Sequence, residues 1–205
     1  MTVRLHRNDL PSLSAYKGAV AIDTETMGLD PHRDRLCVVQ LSPGDGSADV
    51  VQIAPGKPDA PNIKRLLADR SILKIFHYGR FDLAALYNAY GVMAEPIYCT
   101  KIASRLARTY TDRHGLKDLT REILGVEISK QQQSSDWGAG NLTDAQVNYA
   151  ASDVLHLHAL KEKLDAMLER EGRAGLAAAC FGFLPDRVRL DLAGWAEEDI
   201  FSHSA

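Results

Sequence analysis

The chain has 205 residues, 45% of them apolar and 25% charged, with a formal charge of −3. These values are ordinary for one large folded domain and exclude disorder, collagen-like repeats and low complexity. Near-neutral charge also excludes the broad basic footprint of a duplex-binding protein, although a metal site or a local patch can still hold phosphate.

The first residues, "MTVRLHRND", lack the apolar run of a secretion signal, and no stretch approaches membrane-spanning length. The expectation is a soluble, cytoplasmic protein. Cys37, Cys99 and Cys180 are widely spaced and read as small buried thiols in a reducing compartment. "GAVAID" (18–23), "LCVVQLS" (36–42) and "DVVQI" (49–53) are predicted strands, separated by the turn signals "GLDPHRD" and "SPGDGSA". Short connections predict an antiparallel meander. "PNIKRLLAD" (61–69) reads as a crossover helix to a fourth strand, "ILKIFH" (72–77). A helix over 81–90 stops at Gly91, and a short fifth strand, "PIYCT" (96–100), runs into "KIASRLA". This order is α/β.

The second half is predicted helical. An amphipathic helix covers 116–125 and ends at Gly125. Thr143 and Gln146 form a capping-box pattern before a helix running to about Arg170, whose stripe of Leu157, Leu160, Leu164 and Met167 reads as core. His156 and His158 read as surface and packing residues. The boundaries are a domain over 1–172 and a C-terminal helical and extended segment over 173–205. That segment, a short Ala-rich helix followed by "FLPDRVRLDLAGW", is too apolar for a disordered tail and packs on this chain or on another copy.

Within "AIDTET" (21–26), Asp23 and Glu25 stand two apart on a strand, hence on one face and roughly 7 Å from each other. Two carboxylates at the edge of a core repel each other and lose hydration. Asp82 opens the helix after the fourth strand, and Tyr149 and Asp153 lie four apart on one helical face, with side chains about 5–6 Å from each other. Four carboxylates in one cleft need divalent cations, and hard Mg²⁺ or Mn²⁺ prefers oxygen ligands. Two such ions about 4 Å apart would stabilise the attacking and leaving oxygens of a displacement at phosphorus.

"Asp23-Thr-Glu25", Asp82 in "HYGRFD" and "Tyr149-Ala-Ala-Ser-Asp153" together resemble the three motifs of the DEDDy 3′–5′ exonucleases in the ribonuclease D-like superfamily. "SKQQQSSDWGAGNLTDAQVNYAASDVLHLHAL" is similar to the matching stretch of ribonuclease D, and the resemblance covers about residues 18–170. "DPHRDRLCVVQ", "TYTDRHGLK" and the "FLP…DLAGWAEEDIFSHS" ending are most similar to the small bacterial nano-RNase C enzymes of that branch. The resemblance implies an RNase H-like 3′–5′ exonuclease fold with a mixed five-stranded sheet flanked by helices and a helical C-terminal part. It implies Asp23, Glu25, Asp82 and Asp153 as ligands of two divalent cations, with Tyr149 as the fifth catalytic residue. Tyr149 is expected to orient or deprotonate the attacking water: a tyrosine of ordinary pKa, about 10, is a poor base unless the metals lower that value, so orienting a metal-acidified water is the preferred role. The implied substrate is very short RNA, down to dinucleotides, and the implied assembly a ring-like homo-octamer. The pattern departs at Tyr78, where many members carry asparagine, and at "GNL" (140–142), where ribonuclease D usually has Arg-Pro-Leu.

A dinucleotide offers little length to grip, so selectivity must come from its ends and bases. Thr24, Met27 and Leu29 follow or sit within the first motif, the last two as candidate base wedges. His77 and Tyr78 stand beside the second motif, near sugar or base. Lys130, Gln133, Ser134 and Trp137 are a candidate cap for a 5′ phosphate or a stacking surface, with Arg108, Arg113 and His114 as further contributors. Competing readings are a ribonuclease D-like trimmer, a DNA 3′–5′ exonuclease, and a non-catalytic RNA-binding module. The last is disfavoured because all four carboxylates are present.

Overall fold

The computed structural model describes residues 2–56, 59–129 and 131–203. Its centre is one mixed sheet of six strands: β1 (Thr2–Arg7), β2 (Ala19–Thr26), β3 (Leu36–Ser42), β4 (Ser47–Gln52), β5 (Leu73–Phe76) and β6 (Ile97–Cys99). Their spatial order is β1-β4-β3-β2-β5-β6. The meander expected of β2, β3 and β4 is antiparallel, while β5 adds parallel to β2 and β6 parallel to β5. The five-strand expectation is corrected by β1, which pairs parallel with β4 at the edge. Its alternation is weak and none of its residues is fully buried. Asp49 holds it from outside the segment: the carboxylate accepts from Arg4 Nε at 2.7 Å and contacts His6 Nε2 at 2.7 Å, while Tyr16 Oη donates to it at 2.6 Å.

Seven helices flank the sheet among the described residues: α1 (Pro61–Ala68), α2 (Gly79–Tyr90), α3 (Thr100–Ala107), α4 (Leu116–Leu119), α5 (Asp144–Leu155), α6 (Leu157–Arg170) and α7 (Ala174–Leu190). A π-helical turn, Thr120–Leu124, extends α4 to Gly125, which caps it with a positive φ of 69°. The faces of β2 alternate. Val20 and Ile22 pack with Leu83 and Leu86 of α2, while Ala21 packs with Ala150 and Val154 of α5 and Leu157 of α6. Each of the buried valine, leucine and isoleucine side chains here contributes about 2 kcal/mol relative to exposure, and the alanines less than half of that. Lys74 lies fully buried within β5, its ammonium donating to the carbonyls of Asp69 and Glu95.

Three expectations for the helical half need adjustment. The helix behind the capping box, whose reciprocal Thr143–Gln146 bonds are present, breaks at His156 into α5 and α6. The buried stripe of α6 is Leu157, Leu160, Leu164 and Leu168, with Met167 only partly buried beside it. The Ala-rich segment is not short. It is a 17-residue helix that continues through Pro185. Proline removes one helical N–H, but Leu184 and Val188 on either side are anchored in the core, so packing carries the helix across it.

Candidate active site

β2 delivers the first carboxylates. Asp23 and Glu25 share the face of Ala21, toward α5, whereas Thr24 shares the face of Ile22, toward α2. The end of the strand is irregular, with a register shift between Glu25 and Thr26 of the kind that re-aims side chains beside functional sites. Across the ladder Asp23 pairs with Gln40, whose buried amide lies 3.5 Å from the Asp23 carboxylate.

The other two faces of the cleft come from helices. α2 starts directly after β5, and its N-cap residue, Tyr78, holds a left-handed backbone at φ 63°. That conformation is costly for a non-glycine residue and tends to survive at functional positions. In the first turn of α2, Asp82 is buried and accepts a 2.7 Å hydrogen bond from the Thr24 hydroxyl. α5 supplies Tyr149 and Asp153 one turn apart. One carboxylate oxygen from each of Asp23, Glu25 and Asp153 lies within 4.8 Å of the others. Asp82 lines the same cleft but stands outside that triplet.

Electrostatics follow from this crowding. Burial raises Asp23 far above the usual carboxylate range, and the charges of Asp82, Asp153 and Glu25 add to it. Glu25 is pushed up to about 9 by burial and by Asp153 and Asp82. Burial likewise lifts Asp82 to about 7 against the hydrogen bond from Thr24, and Asp153 to about 7 against the one from Tyr149. The Tyr149 hydroxyl is raised too, by burial first and then by the three acids around it. Without a cation these acids hold protons near neutrality. An oxygen-only donor set of this kind fits a hard divalent ion, which Asp23, Glu25 and Asp153 would hold with Asp82 alongside.

The cleft above the acids encloses about 690 Å³. Thr24, Met27, Leu29, His77, Tyr78, Gln133, Ser134 and Trp137 all line it, as the substrate readings require, while Lys130 lies outside the described residues. Met27, Leu29 and Tyr78 are exposed, Leu29 at 83%. Trp137 is buried at 4% exposure with its ring 6.0 Å from that of Tyr149, so it backs the tyrosine and offers a base little open face. His77 Nδ1 lies 2.9 Å from Thr100 Oγ1, and burial keeps the imidazole neutral, its pKa pushed down to about 3. Arg108 is not a substrate group. Its guanidinium is buried and bonded to Glu122, Ser104 Oγ and the Arg113 carbonyl. His114 Nδ1 is likewise engaged with Ser104 Oγ at 2.9 Å.

Sequence reasoning missed Lys101 and Lys117, which line the cleft with no ion-pair partner among the described residues. The Lys101 ammonium sits 4.0 Å above the Tyr78 ring. A signal existed: Lys101 stands two residues after the last parallel strand, in the first turn of α3, and ligands of open α/β sheets collect at carboxyl ends of strands.

A carboxylate cluster at the end of the central strand of a mixed sheet, with a tyrosine one helical turn from the last acid, is the arrangement of a 3′–5′ exonuclease. Residues 8–169 match the family model described as 3′–5′ exonuclease. The chain belongs to the 3′–5′ exonuclease family, whose membership carries divalent-metal dependence. It is 38% identical to ribonuclease D of Granulibacter bethesdensis over 154 residues, which are 75% of this chain and 38% of that protein. The chain thus spans about two fifths of the length of the ribonuclease D relatives it matches. Among solved structures it is similar to Brucella melitensis NrnC with bound Mg²⁺, at 65% identity and a TM-score of 0.96 with both chains fully covered. NrnC bound to pGG matches at 66% identity and a TM-score of 0.97, again with both chains fully covered. Escherichia coli RNase D, an exoribonuclease involved in structured RNA processing, matches at 28% identity and a TM-score of 0.73, over 84% of this chain and 45% of that one.

Proposed function

We propose that the protein is a cytoplasmic 3′–5′ exoribonuclease that hydrolyses very short oligoribonucleotides, dinucleotides above all, to nucleoside 5′-monophosphates. The observation that carries the reading is a charge division across one cleft. Three carboxylates within 4.8 Å stand at its floor, and Lys101 and Lys117, without ion-pair partners among the described residues, stand on its wall. A short anion with a scissile phosphodiester and a terminal phosphate matches that division. The pGG bound by NrnC, two thirds identical to this chain, is such an anion. Two divalent cations, Mg²⁺ or Mn²⁺, would supply Lewis acidity and an acidified water when bound. Asp23, Glu25, Asp82 and Asp153 are the residues proposed to hold them. Tyr149, its phenol kept protonated by burial and neighbouring acids, orients the water as a hydrogen-bonding group. Met27 and Leu29 wedge a base, and Tyr78, Gln133 and Ser134 border the remainder of the substrate. Assembly of several copies, an octamer on the resemblance, is supported by the exposed apolar side chains of Phe183, Trp195, Ile200 and Phe201 in the C-terminal segment.

The test is single-turnover degradation of 5′-labelled RNAs of two to seven nucleotides, with Mg²⁺, with Mn²⁺ and with chelator. The expected result is a rate that collapses above two nucleotides and vanishes in chelator. Equal rates at every length would refute the short-substrate reading, and turnover in chelator would refute the metal site. Equal or better cleavage of DNA would refute the ribonuclease reading.

Lys101 gives a separable expectation. Lys101→Met should raise KM for a 5′-phosphorylated dinucleotide roughly tenfold, the loss of one charge-assisted contact, with kcat little changed. KM for the same dinucleotide lacking its 5′ phosphate should not move. Equal effects on both substrates would place Lys101 at the scissile phosphate instead.

A further inference from the structure

The segment 136–141, which ends the cap region, has little regular backbone structure of its own, yet the sheet grips it at several points. Arg7, the last residue of β1, donates to the Gly140 carbonyl at 3.0 Å and to Asn141 Oδ1 at 2.6 Å. Gln52, the last residue of β4 and 4% exposed, donates from Nε2 to the Ala139 carbonyl at 2.8 Å. Arg35, just before β3, bonds the carbonyls of Leu36 and Ile53 and reaches that of Gly138 at 3.4 Å. From the α5 side, Gln146 Nε2 donates to the Asp136 carbonyl at 3.1 Å. These donors come from elements far apart in sequence and converge on one short piece of chain.

That piece presses on the substrate wall. A Cβ built on Gly138 would lie 2.2 Å from Met27 Sδ and 3.1 Å from its Cε, so glycine lets the segment settle against the thioether and a larger residue would push the flexible end of Met27 aside. Met27 and Trp137 both line the cleft. Where Met27 stands in the cleft therefore depends on how tightly 136–141 is drawn down.

We infer that Arg7, Gln52 and Gly138 are specificity-determining positioning residues. They hold 136–141 on Met27 so that the cleft keeps the width of a two-nucleotide substrate. This rests on the short-RNA reading above. It also assigns a purpose to β1, the edge strand bolted to Asp49, which brings Arg7 to the loop.

The experiment measures kcat and KM for RNAs of two and five nucleotides, with melting temperature alongside, for wild type, Gln52→Leu, Arg7→Gln, Gly138→Ala, Met27→Ala and the Gly138→Ala/Met27→Ala double variant. Each tether variant is expected to raise KM for the dinucleotide about fivefold, the worth of one hydrogen bond, and to reduce selectivity for two over five nucleotides by a similar factor, with kcat within about twofold. Gly138→Ala removes no tether, so it keeps the test decisive where the Arg7 variant fails to fold. It should lower selectivity in the wild-type background and have no further effect once Met27 is truncated, a non-additive pair. Lower melting temperatures with unchanged selectivity would overturn the inference, leaving these groups structural only. So would independent, multiplying effects of Gly138→Ala and Met27→Ala. A wild-type enzyme indifferent to length would remove the short-RNA reading itself, and this inference with it.

Discussion

Asp23→Asn is expected to lower kcat at saturating Mg²⁺ by at least about a thousandfold, about 4 kcal/mol of barrier, while raising the melting temperature of the metal-free protein. Both halves follow from one placement. Asp23 is half-buried, has a carboxylate oxygen within 4.8 Å of Glu25 and Asp153, and carries the charge repulsion of Asp82 as well. As a proposed metal ligand, Asp23 cannot be replaced by a neutral amide without losing charge that would draw a cation in. In the absence of metal the same carboxylate is a liability, because burial and three neighbouring acids oppose its ionisation. Asparagine keeps the shape and removes the charge. Its amide oxygen can still accept from Gln40 Nε2, which lies 3.5 Å from the Asp23 carboxylate. Each kcal/mol so gained should appear as roughly 2–4 °C in a chain of this size. The check is paired: turnover of a labelled dinucleotide in Mg²⁺ and thermal unfolding in chelator. A variant that loses activity and also melts lower would mean that Asp23 organises the fold, and retained activity would remove it from the metal site.

What could be read from the chain depended on where each signal is stored. β2 to β5 announce themselves because apolar runs between turn residues store their signal locally, and α5 carries its own capping box. Asp23 and Glu25 stand out for a related reason: adjacent acids on an apolar strand are an electrostatic contradiction that only a partner can relieve, whereas Asp82, Tyr149 and Asp153 stand out only together with them, through the motif resemblance. β1 was missed because its stability lies elsewhere. "TVRLHR" buries little, and what holds it is Asp49, some 45 residues away. The length of α7 was misjudged because Pro185 is a local stop signal that tertiary packing of Leu184 and Val188 overrides. Trp137 reads from the sequence as part of a candidate cap or stacking surface, yet its ring turns inward against Tyr149, a direction no sequence pattern specifies. The tethers on 136–141 were invisible for the same reason. Arg7, Arg35 and Gln52 end or precede three different strands, and only the sheet order brings them together.

From about pH 7 to about pH 8.5 the metal-free protein is expected to lose melting temperature, and Mg²⁺ to restore more of it the higher the pH. An acid whose folded pKa lies above its unfolded value near 4 holds a proton in the folded state that the unfolded chain has released. Its stabilising contribution is complete below that unfolded value and is lost as pH rises through the folded one. Asp82 and Asp153, lifted to about 7, and Glu25, lifted to about 9, place this loss on both sides of neutrality. Other groups of opposite sign bound the window. His77, held neutral by burial, destabilises only where an unfolded histidine is protonated, so its effect has ended by about pH 7. Lys74, lowered to about 8 by burial, begins to favour the folded state only near the upper limit. Because these groups lie off the metal, they cancel in the difference between melting temperatures with Mg²⁺ and with chelator. That difference should grow by at least about 5 °C across the window, since a cation replaces protons the acids would otherwise retain. A difference that stays constant with pH would mean that the acids are already ionised without metal, and the crowding of Asp23, Glu25 and Asp153 would then have to be relieved by something other than a bound cation.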